Sequence, residues 1–173
     1  PFMPAFAGGI IANNVQVTFL AFALGITAGL GTLVLLLFNG LHIGATLGLF
    51  DGRGLGAYLW AFVLPHGIVE LTAAAIAGGA GLLLGSALVL PGEQTRREAL
   101  VERGRVALRL LVGTSALLVL AGLVEGFVSP SSLPPGVKIG FGLTLGVLLY
   151  VYLVRAGRGP GPHAEWNPGE SDA

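Results

Sequence analysis

The hydrophobic positions of this chain come in unbroken runs, without the polar face that a helix half in water would show. A hydrocarbon core about 30 Å thick takes roughly 20 helical residues. Four runs reach that length, at 14–38, 65–90, 107–128 and 137–154, and each predicts a membrane span. Between the first two lie shorter apolar pieces, 40–50 and 55–64, separated by the turn Asp51-Gly52-Arg53-Gly54. Neither piece crosses alone, and backbone broken at membrane depth is tolerated only against protein or a wet cavity. The pattern therefore predicts a re-entrant pair of short helices cradled by the full spans. The expected fold is all-α: a polytopic transmembrane bundle of about four full spans plus the broken short pair, filling 14–155.

The polar stretches set boundaries and sidedness. Residues 1–13 read as a lead-in, and the 14–38 run is too long for the apolar region of a signal peptide. Pro91-Gly92 stops the second long run. Thr95-Arg96-Arg97-Glu98 has the capping-box form, in which a hydroxyl and a carboxylate satisfy the first free amides of a new helix. That helix forms a connector over 93–109, carrying Arg96, Arg97, Arg103, Arg105 and Arg109, and the arginines mark it as cytoplasmic. The loop at 129–136 carries no charge and falls on the other side, while Arg155 and Arg158 return to the cytoplasm. An even number of crossings puts both termini inside. From 156 to 173 the glycine, proline and acidic residues predict a disordered cytoplasmic tail.

Composition narrows the function classes. Of 173 residues, 54% are hydrophobic and 10% charged, and the mean hydropathy is +0.84. Soluble domains carry roughly 25% charged residues, so this surface meets the lipid bilayer of a cell membrane. Nine Lys and Arg balance nine Asp and Glu, which leaves no field for nucleic acid. The absence of cysteine excludes disulfides and thiolate chemistry. Glycine numbers 29 and recurs at intervals of four, as in Gly25 and Gly29, Gly81 and Gly85, Gly122 and Gly126, Gly142 and Gly146, and Gly40 through Gly56. Such stripes let helices approach closely in lipid. They serve packing within the bundle or a homo-oligomer interface; the expected partners are the lipid bilayer and other membrane or cell-envelope proteins.

Polar groups inside the spans carry the chemical interest, because hydrocarbon penalises each one that lacks a partner. His66 and Glu70 are four apart, one above the other on a helical face, and Pro65 before them suits a first helical turn. Glu125 sits near the outer end of the next span, so an antiparallel crossing predicts that it meets both at one depth. Asn14 and Asn39 are further candidates, with Asn13, His42 and Thr72 less tightly placed. Three chemistries suit the cluster: a hydrogen-bonded lock, a site for a proton or small cation, and a metal centre with His66, Glu70 and Glu125 as ligands, as in a metal-dependent hydrolase. No nucleophile elbow or phosphate-binding loop is present, and no catalytic residue is assigned. The cofactor is left open.

Three blocks of residues resemble the stage II sporulation protein M family of multispanning membrane proteins. They are the stretch from Asn13-Asn14-Val15-Gln16 to Gly25 leading to Asn39-Gly40, then Leu59-Trp60 through Pro65-His66-Gly67 to Glu70 with 77–81, and Glu125-Gly126-Phe127. The resemblance implies that Asn14, Asn39, His66, Glu70 and Glu125 match characteristic family positions. It also implies a membrane partner, since the family's namesake assembles with two cell-wall-degrading proteins during spore engulfment, and the chain is expected to be a non-enzymatic scaffold. Members usually carry more sequence before the first span, and His42 stands where an apolar residue is expected.

Overall fold

Inside a bilayer the backbone has no water to bond, so it satisfies its amides within helices. The computed structural model describes residues 3–157, and these are all-helical, with no strand. Helix α1 (Met3–Ala23) passes through a 3-10 turn (Leu24–Ile26) into α2 (Leu30–Asp51), followed by α3 (Gly56–Val89), α4 (Arg96–Phe127) and α5 (Pro135–Ala156). All five are long and apolar enough to cross a membrane, which fits an integral membrane protein. The tail expected to be disordered lies, from residue 158 on, outside the described residues.

The breaks fall elsewhere than hydropathy places them. The 14–38 run is not one helix: it turns at Thr27-Ala28-Gly29, where Ala28 (φ 57°) and Gly29 (φ 83°) take left-handed backbone. Hydroxyls do there what water does in a soluble turn. Thr27 Oγ1 donates to the Leu24 carbonyl and accepts from the Gly31 amide, and Thr32 Oγ1 donates to the Ala21 carbonyl at 2.7 Å. The lead-in is helical from Met3, the 40–50 piece completes α2, and the 55–64 piece opens α3. Pro65 consequently lies inside α3 and not in its first turn. Its ring removes the amide that would bond the Ala61 carbonyl, a loss that spanning helices absorb by packing.

Helix α3 is the hub. Gly25 meets Gly81 and Asn14 meets Glu70, so α1 runs parallel to α3. Gly29 meets Gly85 while Leu36 meets Gly78, so α2 runs back. Arg103 Nη1 donates to Ser86 Oγ at 2.9 Å at one end of α4, and Ser129, just past its other end, reaches His66, so α4 is antiparallel too. Gly142 packs on Leu64 and Gly146 on Ile68, which makes α5 parallel. Val69, Ala121 and Leu149 form the buried core where α3, α4 and α5 meet. The start of α1 and the end of α5 therefore lie at opposite ends of the bundle. The even count placed them together; the turn at Ala28-Gly29 adds the extra crossing.

Glycine at these contacts is required by space. A Cβ at Gly81 would collide with the Ala21 carbonyl, one at Gly25 with the Gly81 carbonyl, and one at Gly142 with the Leu64 carbonyl. Gly40, Gly44 and Gly48 have nothing within 4 Å of that position. Gly81→Ala is expected to lower stability by about 1–3 kcal/mol through overpacking, whereas Gly40→Ala leaves it unchanged. Thermal unfolding in nanodiscs compares the two, and equal midpoints would refute the packing account.

At the charged end, α4 begins with the capping box. Thr95 Oγ1 accepts from the Glu98 amide, and the Glu98 carboxylate accepts from the Thr95 amide at 2.9 Å. Bonds from the Thr95 backbone and then its hydroxyl hold the Glu98 carboxyl below its ordinary value. A depressed acid stabilises the fold above its unfolded value, and the contribution fades as pH falls through the folded one. Amide exchange in the first turn of α4 should thus rise as pH drops below about 4, after correction for intrinsic rates. Thr95→Ala should show fast exchange already at neutral pH.

Candidate functional site

At the end of the bundle away from the arginines that open α4, α1, α3 and α4 bring polar side chains together. His66 and Glu70 project one turn apart from α3, which carries them at the level where α4 ends. His66 is 1% exposed, Glu70 9% and Glu125 0%, so three ionisable groups are withdrawn from lipid and water alike. Asn14 Nδ2 of α1 donates to Glu70 Oε2 at 2.6 Å. The same oxygen lies 3.9 Å from His66 Nε2, too far for a hydrogen bond.

The other ring nitrogen is engaged. His66 Nδ1 shares a 2.9 Å hydrogen bond with Ser129 Oγ, and Ser129 is itself buried. Lys138 Nζ on α5 donates to the Ser129 carbonyl at 2.7 Å and so ties the loop after α4 to the next helix. Phe62, one turn before His66, presents its ring edge-on to the imidazole, with centroids 5.9 Å apart. Glu125 stands differently: both carboxylate oxygens are buried, and among the described residues neither has a hydrogen-bonding partner. One ligand atom from each of His66, Glu70 and Glu125 falls within 4.8 Å of the others.

Of the sequence candidates, the structure gathers His66, Glu70, Glu125 and Asn14 and leaves Asn39 out. Asn39 is half-buried on α2, and Asn13 and His42 are exposed. Thr72 turns back to the Ile68 carbonyl at 2.7 Å. Ser129, Lys138 and Phe62 were not legible as site residues. A serine directly after an apolar run is a weak signal, and nothing in spacing tells which of Ser129, Ser131 and Ser132 turns inward. The three chemistries suited to the cluster now differ in fit. A lock needs every member bonded, and Glu125 is not.

Asn14→Leu should lower stability by about 1–3 kcal/mol, because it strips the Glu70 carboxyl of its donor. Asn39→Leu should have a much smaller effect. Chemical denaturation in mild detergent checks the pair; a larger loss at position 39 would contradict this placement.

Comparison with known proteins covers most of the chain. A family model described as Stage II sporulation protein M matches residues 2–130, a segment that contains Asn14, His66, Glu70, Glu125 and Ser129 and ends before α5. An uncharacterised protein of Methanocaldococcus jannaschii is 32% identical over 123 residues, spanning 70% of this chain and 69% of its own length. No solved structure matches.

Proposed function

This chain belongs to the stage II sporulation protein M family, and we propose that it is a non-enzymatic scaffold of the cell membrane on which other envelope proteins assemble. The observation that carries this reading is the bare condition of α2. None of its most apolar stretch is buried by the rest of the chain. Its Gly40, Gly44 and Gly48 face is open, and His42 is exposed on the opposite side of the same helix. Glycine at every fourth position is a surface for another helix, since lipid gains nothing from it. An imidazole at that depth calls for a hydrogen-bonding neighbour. The arginines of the connector favour the cytoplasmic side and support a reading in which the α3–α4 turn and the end of α5 face the cytoplasm and the His66 cluster lies toward the outer leaflet.

A photoreactive residue in place of Leu37, which is exposed and shares the Gly40 and Gly44 face, tests this in cells. The expected product is a covalent adduct with another membrane protein, reduced at least tenfold by Gly44→Leu while the bundle's melting is unchanged. Adducts of twice the chain's mass identify a second copy as the partner. Adducts with lipid alone would defeat the scaffold reading, and a proton or small-ion flux in liposomes abolished by Glu125→Gln would favour a carrier.

A further inference from the structure

We propose that His66, Glu70 and Glu125 form a binding site for one divalent transition-metal ion, of the Zn2+ class, independent of any docking at α2. The starting point is the orphaned carboxylate. Glu125 is fully buried and aimed into the cluster, and both its oxygens lack partners among the described residues. Burial of such a group without compensation is expensive, so a native fold provides a counterpart. No Lys or Arg supplies it: among the described residues, neither Glu70 nor Glu125 is ion-paired to either, and Lys138 spends its ammonium on the Ser129 carbonyl.

The donor set selects the ion. Two carboxylates and one neutral imidazole cancel a double positive charge, giving a site with no net charge where a net charge is least tolerated. An imidazole disfavours Mg2+ and Ca2+, which prefer all-oxygen shells, and suits Zn2+ and its neighbours. Metal bonds of about 2.0–2.2 Å set tetrahedral ligands roughly 3.4 Å apart. The 3.9 Å between His66 Nε2 and Glu70 Oε2 is near that spacing. Within the 4.8 Å limit of the cluster, Glu125 supplies the remaining contraction, because no hydrogen bond restrains it.

The surroundings point the same way. Ligating histidines commonly hold their second nitrogen on a hydrogen-bond acceptor, which fixes the tautomer and directs the other nitrogen to the metal. Ser129 Oγ occupies that place at Nδ1 and leaves Nε2 facing the two acids. Asn14 orients the Glu70 carboxylate by its 2.6 Å bond. Asn14 and Ser129 are thus positioning residues, and the three ligands need no other help to face one another.

The test uses the full chain, without an affinity tag, in nanodiscs. After chelation and dialysis against Zn2+, elemental analysis should give one zinc per chain, and Co2+ should produce the visible absorption of a low-coordinate site. Glu125→Gln and His66→Ala should each lower zinc occupancy at 1 μM free metal at least tenfold, while His42→Ala retains it. Ser129→Ala should weaken binding about 10-fold or more without abolishing the Co2+ spectrum. If the ligand variants do not fold, the wild-type chain still decides: zinc should raise its melting temperature. Absence of stoichiometric zinc in the wild type, or occupancy unchanged in Glu125→Gln, overturns the proposal.

Discussion

Direct contact between backbones along α3 determines everything else in this molecule. Hydrocarbon gives two apolar helices no reason to prefer each other over lipid, so adhesion comes from how closely their axes approach. Glycine at 25, 81, 85 and 142 allows main chain to lie on main chain. Such contacts also fix depth, because a helix seated on a carbonyl cannot slide. Asn14 and Glu70 are 56 residues apart, as are Gly25 and Gly81, so the seat at one end sets the meeting at the other.

That coupling explains why the polar cluster can exist. An imidazole and two acids in a bilayer are tolerated only if they converge, and convergence requires α1, α3 and α4 to be held in register over their whole length. The core of Val69, Ala121 and Leu149 lies beside Glu70 and Glu125 and excludes lipid from one side. Ser129 and its tie to Lys138 close the other. The scaffold reading and the metal reading therefore draw on different parts of the same bundle: the uncovered α2 and the covered interior.

The class of fold was legible because it follows from a sum: long apolar runs and few charges leave only helices across a membrane. The i, i+4 relation of His66 and Glu70 was legible for the same kind of reason, and an antiparallel neighbour placed Glu125 near them. Helix breaks were not. Thr27-Ala28-Gly29 carries neither charge nor proline inside a long apolar run, and hydropathy has no means of seeing that a threonine hydroxyl can stand in for water. Pro65 misled in the opposite direction, since its usual meaning as a helix start is overridden where the residue is buried inside a continuous helix. Asn39 fell outside the cluster because the same break turns α2 so that its middle lies farther along α3.

Helix α4 continues without interruption for 32 residues, from the arginine-rich turn to Phe127, a rod of about 48 Å. The bilayer takes up about 30 Å of that, leaving several turns projecting into water. Arg103 fastens the projection to the end of α3 by its bonds to Ser86 and the Leu90 carbonyl. The projecting segment and the Glu125 end belong to one unbroken helix. A displacement of the arginine end is therefore carried along the same helix that positions the buried acid at its other end.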